Sequence, residues 1–362
     1  MRTIRLILWV MIVCWVLDVR AQDTVITPDN ASEIELLAQV GWFEQLYQFE
    51  LGGTVDLVAR PLWASWVSAF SPDGTRFVLG NDNNEVVLFD VISDPPFITN
   101  GRVLAGHQGA VYSLAFHPDG VHLASGGADG VIHVWDMTTG TLVKTIDVME
   151  KSAVYGLSYR PLEADKLYCA TLQGVGTVND GAEHCYITRS ADGLNQPVYS
   201  VAFSPDGRFY ARGDTILQNL ASYQQLTLQT RRGWSDTSYR SSRSRLTFSA
   251  DGQVLLNGGT QQWAYVWHMN ALAEGQVYAE GLIALSPSGR LIAGNNLMIV
   301  DTLTGDRLYD SQLPKSDESW WYDNVRASVH DAVFSPDGRL IVTAGVDGVL
   351  RFWGITDGGM NE

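Results

Sequence analysis

Seven histidines, three cysteines and 40 carboxylates are the residues here that could bind metal, relay protons or attack a substrate. The cysteines stand at 14, 169 and 185, which fits no CxxC pattern and excludes a structural zinc site of that kind. No GxSxG elbow, HExxH pair, phosphate loop or complete GxGxxG occurs. Gly174 and Gly176 come nearest, with Asn179 where a third glycine is needed, and read as an irregular turn. The run Asn81 to Glu85 offers oxygen ligands without the central glycine of a calcium loop. His117, His122 and His133 fall at turn or strand positions as solvated or packed side chains. The expectation is a protein that is not an enzyme and has no metal and no cofactor.

Binding is the remaining chemistry, and two segments offer it. Arg231, Arg232, Arg240, Arg243 and Arg245 crowd one stretch of a chain whose net charge is −16; they hold an acidic partner or neutralise carboxylates of their own domain. Trp320, Trp321 and Tyr322 lie in the polar string KSDESWWYDN, either as an interface or packed down onto the domain. The acidic excess disfavours nucleic acid and anionic lipid, which need clustered cations.

These residues need a scaffold, and a repeat supplies it. The tetrapeptide SPDG occurs at Ser71, Ser204 and Ser335, with variants at His117, Ser249 and Ser286 and a degenerate copy at Pro161. Seven copies follow one another at intervals of 37 to 49 residues. Serine accepts at the first turn position, proline presets φ and glycine supplies positive φ, so each copy is a hairpin between two strands. One such sheet cannot bury both faces alone, and radial stacking leaves no long free edge. The fold class expected is all-β, a seven-bladed β-propeller of four-stranded antiparallel blades. The chain ends nine residues after Trp353, so an N-terminal strand must close the ring. Ile34 to Val40 is the candidate; Ser32 and Glu35 spell a rival capping-box helix, and Thr54 to Ala59 is an alternative strand.

The stretch from Ala105 to Thr145, with Gly106-His107, LASGGADG and Trp135-Asp136, resembles a WD-repeat unit. The resemblance implies a buried structural tetrad of His107, Ser125, Asp129 and Trp135, with Thr343, Asp347 and Trp353 as its remnant in the seventh copy and Trp267 in the fifth. ITPDNA near the N-terminus is similar to the start of exported bacterial members. The family position on the partner-binding surface, four residues before the aromatic anchor of each first strand, is filled by Trp66, Tyr112, Tyr155 and Tyr199. Ser244, Gly281 and His330 follow in the later copies. Strand packing is the alternative reading of these aromatics.

Arg2 and Arg5 precede an uncharged run from Leu6 to Leu17, and Val19 and Ala21 suit a cleavage site, so residues 1–21 read as a signal peptide, with a retained anchor helix as the rival. Residues 22–62 form an N-terminal segment and 63–362 the propeller. Export would leave Cys169 and Cys185 as the remaining cysteines, in an oxidising compartment and on the second and third strands of one blade, which predicts a disulfide; two buried thiols are the alternative. The function expected is an exported, monomeric, non-catalytic platform for a protein or peptide, with no nucleic acid and no membrane insertion after signal removal. A carbohydrate or small-ligand receptor at the channel mouth is the alternative.

Overall fold

The computed structural model describes residues 11–16, 25–43, 50–51, 54–55, 65–92, 97–179, 181–188, 198–213, 216–228, 245–258, 263–271, 276–294, 297–310, 329–345 and 349–355. These form antiparallel sheets linked by tight turns, and the turn chemistry repeats atom by atom. Ser71 Oγ donates to Asp73 Oδ1 at 2.5 Å and accepts from Arg76 N at 2.9 Å, while Gly74 takes φ +72°. Ser204, Ser249 and Ser335 make the same bond to Asp206, Asp251 and Asp337.

Ser65–Phe70, Arg76–Asn81, Glu85–Val91 and Ile98–Ala105 make the first sheet, in that order. Val111–Phe116, His122–Gly127, Val131–Asp136 and Thr141–Val148 make the second. A third, Gly156–Arg160, Glu163–Thr171, Gly174–Val178 and His184–Thr188, joins it edge to edge, because Asp147 and Val148 pair in parallel with His184 and Cys185. Val201–Phe203, Arg245–Phe248 and Leu282–Leu285 each open a further four-stranded sheet. The last sheet runs Val329–Phe334, Ile341–Gly345, Val349–Ile355. The first strands touch in succession, and Val329–Phe334 packs back against Ser65–Phe70.

The capping-box signal yields only a 3₁₀ turn at Ala31–Glu33, after which Ile34–Phe43 runs antiparallel to Val349–Ile355 as its outer neighbour. Thr54–Val55 pairs with Glu50–Leu51 instead. ITPDNA seats this strand: Ile26 N donates to Gly338 O at 3.0 Å, and Ile26, Ala31 and Ile34 are buried with Ile283, Leu291 and Trp353. Met11–Val16 lies antiparallel along the far edge of Ile34–Phe43.

The core is apolar packing between sheets. Val86, Leu88 and Leu104 of the first sheet meet Val111, Leu123 and Trp135 of the second, and each such buried side chain contributes about 1.5–3 kcal/mol.

Cys169 and Cys185 are disulfide-bonded, but not between second and third strands. Cys185 lies on the fourth, His184–Thr188, and the third strand, Gly174–Val178, runs between the two cysteines. The GVGTV segment is therefore a strand rather than an irregular turn. The bond crosses over Gly176, where a Cβ would stand 2.4 Å from Cys185 Sγ and 2.7 Å from Cys169 Sγ. Gly176→Val is expected to prevent the bond, and titration of the denatured, unreduced variant should find two more thiols than wild type. Loss of the cross-link should cost about 3 kcal/mol in denaturant unfolding, the loop-closure value for roughly 15 residues.

Candidate functional site

Where the second repeat is complete, its polar core is a relay of hydrogen bonds. His107 Nδ1 lies 2.9 Å from Asp129 Oδ2, His107 Nε2 lies 2.7 Å from Ser125 Oγ, and Trp135 Nε1 donates to Ser125 Oγ at 2.8 Å. Burial raises the Asp129 pKa, but bonds from His107 and the Gln108 and Val131 backbone overcome it and hold the carboxyl below its usual value. His133 packs edge-on against His107 with ring centroids 4.4 Å apart. Burial and the neighbouring His107 push its pKa down.

Later copies keep less. Trp353 Nε1 donates to Thr343 Oγ1 at 2.9 Å, while Asp347 lies outside the described residues. In the fifth copy Asn257 stands where Ser125 does, and Asn257 Oδ1 and Trp267 Nε1 are both buried without a partner among the described residues.

This scaffold surrounds a cavity of about 580 Å³ lined by residues of the first strand of every sheet. Pro72, Pro118, Pro161 and Pro205 of the repeated turns line one end; Tyr112 and Tyr155, at the opposite end of their strands, line the other. Tyr112 stacks on Tyr155 with centroids 5.5 Å apart and planes 3° from parallel, and Tyr199 meets Tyr155 edge-on at 5.3 Å. All three are half-buried. Tyr112 is within Val111–Phe116, whereas Tyr155 and Tyr199 sit just ahead of their strands. Burial, reinforced by the two flanking phenols, raises the Tyr155 pKa. Trp66 and His330 lie on first strands, with side chains outside the described residues, and Trp320 and Trp321 fall outside them altogether.

A group that sequence reasoning missed crosses the cavity. Asp331, 4% exposed, accepts from Ser68 N and Ser68 Oγ, both at 2.5 Å, and from Arg245 Nη1 at 2.7 Å. Arg245 Nη2 also donates to Ser68 O at 3.1 Å. Of the arginine-rich stretch only Arg245 is described, and it neutralises a carboxylate of its own domain. Burial pushes the Asp331 pKa up, against the opposing pull of Arg245 and Ser68. No local pattern announces this pair, since Arg245 and Asp331 are 86 positions apart.

His117 and His122 meet at one carboxylate. Their Nδ1 atoms stand 2.9 and 2.8 Å from Asp119 Oδ2. The Asn81 turn is closed by its own bonds: Asn81 Oδ1 accepts from Asn83 N and Glu85 N, each at 3.0 Å.

Residues 99–136 and 323–354 match the family described as WD domain, G-beta repeat. The β-propeller domain of Myceliophteria thermophila Cps50 (Swd1) superposes with a TM-score of 0.62 at 15% identity, covering 82% of this chain and 98% of that one. The chain thus has a β-propeller fold carrying WD-repeat sequence. WD repeat and HMG-box DNA-binding protein 1 of Xenopus laevis is 27% identical over 176 residues, 47% of this chain and 15% of that protein. Ribosome biogenesis protein erb1 of Neurospora crassa is 32% identical over 109 residues, 30% of this chain and 14% of that protein. The chain therefore spans about 15% of the length of these relatives. They are eukaryotic and lend no support to the bacterial likeness of ITPDNA.

Two outcomes are expected. Asp331→Ala should lower stability by about 3–5 kcal/mol, the range for removing one partner of a buried pair, as read from the urea midpoint. The His133 pKa is lowered in the folded state, so its contribution is complete above the usual histidine value of 6.5 and is lost as pH falls below it. Wild-type stability should decline between about pH 7 and pH 5, and less steeply in His133→Gln when unfolding is measured at each pH.

Proposed function

We propose that this chain is an exported, monomeric, non-catalytic propeller of seven WD-repeat blades, closed by the Ile34–Phe43 strand, that binds a protein or peptide at the tyrosine-lined mouth. The observation that carries the reading is the contiguous Tyr112, Tyr155 and Tyr199 surface at one end of the cavity. Aromatic rings at a rim give large contact area at low entropic cost and dominate interface energies. They stand within or just ahead of strands fixed by packing elsewhere, so the surface is preformed.

The seven-bladed reading is supported by the cyclic contacts of the first strands and by the pairing of Ile34–Phe43 with Val349–Ile355. Export rests on the N-terminal sequence and accords with the Cys169–Cys185 bond. Removing residues 1–21 would leave no inserted segment and a net charge of −18, so the partner is a protein rather than a nucleic acid. The DNA-binding named for the Xenopus relative belongs to a protein of which this chain spans 15%.

The cavity favours one second reading, a carbohydrate or small-ligand receptor, because 580 Å³ lies within the range of ligand pockets. Tyr112→Ala with Tyr155→Ala should weaken capture of envelope proteins from the source cell at least about tenfold without lowering the melting temperature, as loss of a rim hot spot would. Unchanged capture by the folded double variant would remove the tyrosine mouth from consideration. A melting-temperature rise with one compound of a glycan panel, lost in the same variant, would favour the receptor.

A further inference from the structure

The turn opening the second repeat differs from its sister copies at two positions. In the copies at Ser71, Ser204, Ser249 and Ser335 the first residue is a serine whose hydroxyl donates to the turn carboxylate, as Ser71 does to Asp73 and Ser335 to Asp337. A flanking arginine often adds its charge, as Arg208 does to Asp206. The second copy keeps the carboxylate, Asp119, but His117 replaces the serine and His122 stands where the first copy has Arg76. The second replacement exchanges an obligate donor for a side chain that can offer a lone pair, and the first puts an imidazole nitrogen, a stronger metal ligand than a neutral hydroxyl, at the head of the turn.

The three side chains converge. Both imidazole Nδ1 atoms address the same oxygen, Asp119 Oδ2, and the three ligand atoms lie within 4.8 Å of one another. A tetrahedral ion with bonds of about 2.0–2.2 Å needs donors roughly 3.3 Å apart, which requires the two imidazole–carboxylate contacts to open by a few tenths of an ångström and the two imidazole nitrogens, within 4.8 Å of each other, to settle at that spacing. Asp119 Oδ1 meanwhile accepts from Val121 N and His122 N at 2.7 and 3.0 Å, which fixes the carboxylate. Tyr159 packs edge-on against the His117 ring at 4.9 Å and holds it from the other side.

The hydrogen-bond accounting at His117 is conflicted. Asp119 N donates to His117 Nδ1 at 3.2 Å, which requires a lone pair there, yet Asp119 Oδ2 stands 2.9 Å from the same nitrogen. Lone pair and carboxylate repel unless a proton or cation lies between them. Side-chain exposures of 24% for His117, 36% for Asp119 and 38% for His122 leave room for an ion to enter and keep water on its open positions.

The other histidine–carboxylate group among the described residues, His107, Asp129 and His133, does not qualify. Both nitrogens of His107 are already hydrogen-bonded inside the tetrad.

We propose that His117, Asp119 and His122 form a binding site for a divalent late first-row metal ion of the zinc or copper class, at the proline-lined end of the cavity. Two imidazoles and one carboxylate select such an ion over Mg²⁺ or Ca²⁺, which prefer all-oxygen shells. The ion would tie the turn to the start of His122–Gly127 and present open positions to water or to a partner's side chain.

Equilibrium dialysis of tag-free protein against ZnCl₂ tests this, with His117→Ser/His122→Arg as the control. That variant restores the residue types of the first copy of the turn and should fold unchanged. Wild type should take up one Zn²⁺ per chain, with CuCl₂ binding more tightly and MgCl₂ not competing. The double variant should bind at least about tenfold more weakly, and wild-type uptake should fall as pH drops toward about 5 and the imidazoles protonate. No zinc uptake by wild type, or equal uptake by the double variant, would overturn the proposal.

Discussion

Asp331 sits at the one junction that the order of the chain does not supply. Successive sheets follow one another directly in the chain, but the last and first sheets are joined by no local connection. Their seam is held twice. On the inside, Ser68 of the first sheet gives its amide and hydroxyl to Asp331 of the last, a bond spanning 263 positions, and Arg245 supplies the charge that makes a buried carboxylate tolerable. On the outside, Ile34–Phe43 pairs with Val349–Ile355 and fills an edge that would otherwise stay open. Both pairings join segments remote in sequence, so each carries a larger loop-closure cost than any turn within a sheet.

Features that repeat were legible in the sequence, because seven copies average out local irregularity. The SPDG turns, their glycines and the strand that follows each were readable from spacing and residue type, and the His107 to Trp135 tetrad from the resemblance to a WD-repeat unit. So was the succession of Tyr112, Tyr155 and Tyr199, since a choice repeated at one strand position need not depend on knowing the partner strand.

What could not be read depends on contacts without a period. Cys185 was assigned one strand too early because GTVNDGAEH hides the third strand, and a cross-link over a glycine leaves no trace in spacing. Asp331 and Arg245 each look ordinary in their own segments; only the closed structure makes one a buried anion and the other its counterion. His117 belongs to a turn whose sister copies are plain hairpins, and the likeness of the tetrapeptide concealed a change in its chemistry. Asn257 shows the opposite failure, a tetrad position retained in geometry while its hydrogen bond to Trp267 is missing among the described residues.

Stability and the proposed recognition fall on different atoms. The tetrad, the inter-sheet apolar clusters and the Asp331 seam lie within or between sheets, where a change of one group costs kilocalories. The tyrosines and the His117 turn stand at opposite ends of the cavity, half-exposed, each backed by a strand whose position is fixed by those deeper contacts. Rim residues can therefore vary between copies without penalty to the fold, which is why the aromatic run can stop after the fourth copy and one turn in the series can exchange serine and arginine for histidine. A rigid frame with chemically distinct ends is the arrangement in which differences among repeats carry binding and their similarities carry structure.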